Sequence, residues 1–146
     1  MNIVNEKEKR KWQKEKEEWR NKVESISIPD DMNGRVTQIE SQIDKVYTEA
    51  SWHYIKYKNQ LKKTQSVIDE VKKLNKKGKN KDRREANAMK ALKNYKGGID
   101  LLEYERELIE RVSFFSDYVI NVLEKKSRRV ATSVGGMKVD AQLTPH

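Results

Sequence analysis

The chain has 146 residues, a formal net charge of +9 and a hydrophobic content of 35%, and it contains no cysteine. The length suits one domain, but the apolar fraction stays below the ~45–50% of ordinary globular domains even when glycine is added. Lack of cysteine excludes disulfides, thiolate metal sites and cysteine catalysis. We therefore expect an all-α protein whose long, coiled-coil-like helices complete their burial in an oligomer.

The N-terminal part, residues 1–34, predicts a charged helix followed by a turn. The helix is expected from Asn5 to Glu24, and its apolar side chains form one narrow line of Trp12, Trp19 and Val23. A helix with so little apolar surface is stable only against a partner. A proline and an Asn-Gly pair mark the turn that follows.

The second predicted helix is long, from about Arg35 to Leu74, and it begins a helical core that covers residues 35–130. Its apolar positions form two series that alternate steps of three and four, typical of the heptad seam of a coiled coil, and the additional four-residue step from Ala50 to Tyr54 indicates a stutter. The seam consists of Val36, Ile39, Ile43, Val46, Ala50, Tyr54, Tyr57, Leu61, Thr64, Ile68 and Val71. So narrow a seam over so long a helix predicts helix–helix packing along its length.

The third helix is expected to begin with Asn80 or Asp82 as its N-cap and to end near Tyr95. The fourth should run from Ile99 to about Arg129 and pack on the second as a long antiparallel hairpin. It carries two adjacent apolar lines, one of Ile99, Leu102, Ile109, Val112, Ser116, Val119 and Leu123, and one of Leu101, Leu108, Phe115 and Val122. Residues 131–146 form a tail, either loose or folded into a small docking element.

The excess positive charge is confined to residues 72–96, here called the basic hinge, which holds eleven basic and two acidic residues. Like charges crowded into one segment repel each other, and a polyanion would relieve that repulsion. The basic hinge therefore predicts a nucleic-acid contact, and the alternative is a solvated loop kept soluble by lysine. Its candidate phosphate-binding residues are Lys72, Lys73, Lys76, Lys77, Lys79, Lys81, Arg83 and Arg84.

The second helix also carries cations beside aromatic residues, the combination by which single strands are bound without sequence preference. Trp52 lies off the seam, so it is a candidate for base stacking or for a subunit contact, whereas Tyr54 and Tyr57 lie on the seam and are expected in the core. The candidate phosphate-binding lysines of this stretch are Lys56, Lys58, Lys62 and Lys63.

A second basic patch closes the fourth predicted helix, and the favourable effect of cations at a helix C-terminus explains it in part. Its residues are Lys125, Lys126, Arg128 and Arg129. No helix-turn-helix and no basic region feeding a leucine zipper is present, which favours backbone contacts over base readout.

The sequence offers no catalytic constellation, so we expect a protein that is not an enzyme. Of its two histidines, His53 is expected to be a packing or surface residue, and neither a metal site nor a cofactor site is predicted. No apolar stretch approaches the ~18 residues of a membrane span, and no signal peptide is visible. We expect a cytoplasmic protein, in the host cell if the gene belongs to a phage.

Four features follow one another from about Val46 to Leu143. They are an aromatic and basic stretch at residues 52–58, the basic hinge, a charged helix around residues 88–95, and an apolar and acidic helix that closes with the basic residues 126–129. This layout resembles the small phage recombination mediators of the UvsY type.

The resemblance implies an oligomeric ring that binds single-stranded DNA and helps to load a RecA-like recombinase onto DNA coated by single-strand binding protein. In that family basic residues toward the end of the long helix contact DNA, and here Lys72, Lys73, Lys76 and Lys77 occupy that region. Two other functions remain open. One is a structural or scaffolding coiled coil of a phage, and the other is a regulator that binds duplex DNA.

Overall fold

A computed structural model describes the backbone of residues 3–143 and the side chains of residues 3–133. The described part is all-helical and contains no strand, which confirms the predicted fold class at that level. It consists of α1 (Glu6–Glu24), α2 (Val36–Asn75), α3 (Lys81–Lys93) and a last helix in three pieces, α4 (Leu101–Ser113), a π-helical segment (Phe114–Ile120) and α5 (Asn121–Leu143).

The chain divides into two compact units, each assembled from separate stretches of sequence. The first unit contains Met1–Lys14 and Tyr54–Ser113, and the second contains Glu15–His53 and Phe114–His146. Because α1 and α2 contribute residues to both units, neither unit is a contiguous segment of the chain.

In the first unit α3 packs against α2 and α4 through a small apolar core. Ile68, Leu92 and Leu101 are buried there, one from each of the three helices. Partly buried side chains complete this core, namely Val67, Val71, Tyr95 and Leu102. The packing places α3, with its many cations, beside the C-terminal part of α2.

Short polar side chains cap the N-termini of three helices. The Oδ1 of Asn5 accepts a hydrogen bond from the backbone N–H of Glu8 at 2.8 Å, and that of Asn80 accepts one from Arg83 at 2.9 Å. Asp100 does the same for α4, where its Oδ1 accepts from Leu102 at 3.0 Å. Each cap satisfies a backbone donor that has no partner within the helix. Of the two caps predicted for α3, the structure therefore has Asn80.

The connection from α3 to α4 is a tight turn built on two glycines. Gly97 and Gly98 have φ values of +70° and +77°, which L side chains rarely adopt. The N–H of Ile99 donates to the carbonyl of Tyr95 at 3.0 Å and closes the turn. α3 itself ends at Lys93 with Asn94 as its C-cap, near the predicted end at Tyr95, and the Gly-Gly turn follows three residues later.

The second unit buries Trp19 and Val23 of the apolar line of α1, together with the N-terminal seam of α2. Trp19 stands edge-on to His53 and to Phe115, with ring centroids 5.5 and 5.3 Å away, and His53 stacks on Phe115 at 5.4 Å. The phenol of Tyr118 donates to Glu24 at 2.7 Å, and desolvation together with this hydrogen bond raises the pKa of Tyr118. His53 is therefore a packing residue in an aromatic cluster.

The last helix changes its buried face across the π-helical segment. Leu101, Leu108 and Phe115 are buried at a spacing of seven, which would next bury Val122. Instead Leu123 and Val130 are buried, one residue later than that spacing requires. A π-helical turn, with its wider hydrogen-bonded ring, accommodates the extra residue. The helix therefore first buries the predicted line that contains Leu101, Leu108 and Phe115, and then the line that contains Val119 and Leu123. It continues beyond Arg129 to Leu143.

Candidate nucleic-acid interface

The basic hinge consists of the end of α2, the connection at residues 76–80, and α3 with the residues that follow it. Among its cations Lys72 is half-buried, and the other ten are exposed. The side-chain amide of Asn87 donates to the carbonyl of Lys77, which ties the connection to α3. Gly78 has a φ of +154°, and a Cβ there would lie 3.1 Å from the Cβ of Arg83. A glycine is thus required where the connection approaches α3.

The described part of the chain neutralises almost none of this positive charge. Within residues 3–133, Lys81 is the one cation of the basic hinge that has a carboxylate at ion-pair distance, 4.0 Å from Glu85. A pair at that distance on an exposed helix contributes little to stability. Mixed-sign surfaces behave differently, as Lys22 shows by pairing with Glu49 at 3.0 Å. The basic hinge therefore presents a strong positive potential to solvent.

Two of these lysines also line a cavity at the junction of α2 and α3. Lys72 and Lys76 border it on one side, and Glu85, Ala88 and Met89 come from α3. The cavity has a volume of about 260 Å³. It combines cations with a partly apolar wall, so it suits a group that has both a phosphate and an apolar face.

Four candidate lysines lie earlier in α2, before the basic hinge, and all are exposed. Helix geometry places them on two faces. Lys56 and Lys63 are seven residues apart and share one face, whereas Lys58 and Lys62 share another. Lys73 lies eleven residues after Lys62, which returns it to the face of Lys58 and Lys62. This second face therefore continues toward the basic hinge.

The aromatic candidates of α2 differ in how much of each side chain is exposed. Tyr57 is 7% exposed, so it belongs to the core as the heptad seam predicts, and Tyr54 is half-buried beneath the ammonium of Lys58. Trp52 is 61% exposed, with its ring edge-on to His53 at 5.1 Å. Trp52 belongs to the second unit, whereas the basic hinge belongs to the first.

Lys126, one member of the second basic patch, has a structural role that its sequence position does not indicate. Its ammonium donates to the carbonyls of Val23 and Ile26 at 2.9 and 2.6 Å. Val23 belongs to the last turn of α1, whose carbonyls have no partner within the helix, and Ile26 follows two residues after α1 ends. Desolvation, with a further contribution from nearby Arg129, lowers the pKa of Lys126. Lys126 therefore caps α1.

Arg111 is a buried cation that the sequence pattern did not single out. It is 5% exposed, and its guanidinium lies over the rings of Trp12 and Tyr57, 4.8 and 5.3 Å from their centroids. Its Nη1 donates to the hydroxyl of Tyr57 at 3.3 Å. A lone arginine in a helical charge pattern looks like a surface residue, and only its position opposite two aromatic faces distinguishes it.

Two structural findings bear on other functions. Among the described residues no group of three or more histidine or acidic side chains is placed to hold a metal ion. None of the described helices is long and apolar enough to cross a bilayer. Comparison with protein-family models, with curated proteins and with solved structures finds no match to this chain.

Proposed function

We propose that this chain binds single-stranded DNA through the basic hinge and acts as a recombination mediator, helping a RecA-like recombinase to load onto DNA coated by single-strand binding protein. The observation that supports DNA binding is the local excess of cations, ten of them exposed and one paired with a carboxylate among the described residues. The recombination role rests on the resemblance to mediators of the UvsY type.

Contacts to phosphates account for this arrangement better than base readout does. Lysine, which predominates in the basic hinge, is a flexible point charge that suits a backbone of any sequence. The release of counterions from the strand would drive such binding, so its affinity must fall with salt. Such backbone contacts suit single-stranded and duplex DNA alike, so the preference for a single strand rests on the resemblance to the mediators.

The test is fluorescence anisotropy of a labelled single-stranded oligonucleotide over a salt series, with a duplex of the same sequence beside it. If about six phosphates are neutralised, log K falls against log salt with a slope of about −4. Binding that cannot be detected at low salt would refute DNA binding altogether. A preference for the duplex would favour a regulator of duplex DNA instead.

A quadruple substitution tests whether the DNA binds at the basic hinge. We expect the change of Lys72, Lys73, Lys76 and Lys77 to Ala to weaken binding at least tenfold while the assembly keeps its mass. The matched control replaces four exposed lysines elsewhere, Lys7, Lys11, Lys14 and Lys45, and should weaken binding far less. Equal losses in the two variants would show that net charge alone is responsible.

The main alternative is a structural or scaffolding coiled coil, which the buried heptad positions of α2 favour. Ile39, Ile43, Val46 and Ala50 are all buried at steps of three and four. An assay of recombinase loading distinguishes the mediator from the scaffold. A mediator must raise the DNA-dependent ATPase rate of a RecA-like recombinase on coated DNA, and a scaffold must leave that rate unchanged.

A further inference from the structure

The sequence pattern attributes the basic residues near the start of α5 in part to the helix dipole, and the length of α5 removes that explanation. A helix that ended near Arg129 would place them in its last turn, where the dipole favours cations. In the structure α5 continues to Leu143, more than three turns beyond Arg129. The dipole therefore does not account for Lys125, Arg128 and Arg129, which we call the α5 basic face.

These residues form one exposed surface. Their spacing, completed by Thr132, is that of a single helix face, and the buried side chains of Leu123 and Val130 lie on the opposite side. Lys125, Arg128 and Arg129 are exposed, and no carboxylate among the described residues lies at ion-pair distance from any of them. Lys126 points away from this surface because it caps α1.

The surface also has the chemistry of a phosphate site. The three cations line an open surface pocket of about 480 Å³ together with the hydroxyl residues Thr132 and Ser133. Arginine binds phosphate oxygens through two parallel N–H groups. The hydroxyl of Thr132 already donates to the carbonyl of Arg128 at 2.9 Å, so the donors available to a phosphate are the three cations and the hydroxyl of Ser133. Seven residues of helix span about 10 Å, enough for about three phosphates at the ~3.4 Å spacing of a stacked strand.

We propose that the α5 basic face is a second contact for the phosphate backbone of single-stranded DNA. It belongs to the second unit, so it is not part of the basic hinge of the first. This inference rests on the proposed function, since it assigns a further surface to the same ligand. It also gives the second basic patch, without Lys126, a role in binding.

The experiment measures the anisotropy of labelled dT30 over a salt series with the full chain. The triple variant Lys125→Ala, Arg128→Ala, Arg129→Ala should bind at least tenfold more weakly at 0.1 M salt, and its log–log slope should be shallower by about 2, the value for three phosphates. The matched control is Lys7→Ala, Lys11→Ala, Lys14→Ala, three exposed lysines that share one face of α1. Its slope should stay at the wild-type value, and circular dichroism should show both variants helical.

The outcomes separate this inference from the proposed function. If the wild type binds dT30 and the α5 triple variant matches the α1 control, the α5 basic face is not a contact, while the function of the basic hinge stands. If the wild type does not bind, both are refuted. A titration with inorganic phosphate tests the other source of the same chemistry. Micromolar phosphate binding that the triple variant abolishes, without any change toward dT30, would overturn the assignment to DNA.

Discussion

Arg111 lies between two aromatic faces in the first unit, and its position joins three helices. Trp12 comes from α1, Tyr57 from α2 and Arg111 from α4. The Nε of Arg111 has no hydrogen-bond partner among the described residues, so the rings and one hydroxyl compensate for the desolvation of its charge. A desolvated cation–π contact contributes about 2 kcal/mol or more. The guanidinium is therefore expected to fix how these three helices pack.

Substitution of Arg111 tests this expectation. Arg111→Ala should lower the free energy of unfolding by about 2 kcal/mol or more, because both ring contacts and the packed side chain are lost. Arg111→Met keeps an apolar chain of similar length between the rings but loses the cation, so it should recover only the part of this loss that is due to packed volume. Urea denaturation followed by circular dichroism gives both values. If Met is as costly as Ala, the charge matters more than the volume between the rings; if neither change is costly, the role of the guanidinium in packing is refuted.

At the scale of the element, α3 depends on its N-cap because its apolar face is small. Only Ala88 and Leu92 are buried among its residues. Like-charge repulsion within the basic hinge also opposes its folding. The hydrogen bond from Arg83 N–H to Asn80 at 2.9 Å is thus a substantial part of what holds the helix in place.

Asn80→Ala should lower the free energy of unfolding by about 1 kcal/mol, with faster hydrogen exchange confined to α3. The control is Asn80→Asp, which keeps an acceptor oxygen at the same place and should stay within a few tenths of the wild-type value. Amide exchange by NMR distinguishes a local effect on α3 from global loss of stability. Unchanged exchange in the Ala variant would show that packing alone defines the start of α3.

The elements themselves could be predicted closely wherever local signals fix them. Asn80 and the heptad steps of α2 act within a few residues of sequence. Asn80 caps α3 as predicted, and most seam positions of α2 are buried, although Tyr54 and Leu61 are only half-buried. The π-helical segment could not be predicted, because Leu123 and Val122 are equally apolar and only packing selects between them.

In the candidate site, too, the properties that depend on composition could be predicted, whereas the roles that depend on distant contacts could not. Exposure of the basic hinge follows from composition alone, since so many cations cannot be buried without partners. The roles of Lys126 and Arg111 depend on groups far away in sequence: Lys126 caps carbonyls about 100 residues earlier, and Arg111 reaches Tyr57 at a separation of 54. A single sequence without long-range contacts places both among ordinary surface cations.

For the whole molecule, the low apolar content predicts a homo-oligomer, and mass in solution tests it. Several large apolar side chains are exposed, among them Leu74 at 67%, beside Val67, Val71 and Tyr95 in a cavity of about 360 Å³. Sedimentation velocity should show a mass above 17.2 kDa. Leu74→Ser should reduce that mass, whereas Gln65→Ser, at an exposed polar position of the same helix, should not.

The oligomer matters for DNA binding because linked subunits bind one strand with a high effective concentration. Weak contacts at the basic hinges of several subunits would then add up to tight binding along the strand. A Leu74→Ser variant that is monomeric should therefore bind long oligonucleotides much more weakly, while a short oligonucleotide that reaches one subunit binds as before. A wild-type monomer at all concentrations would refute the predicted oligomer, and equal loss on long and short strands would show that Leu74 affects the binding site itself.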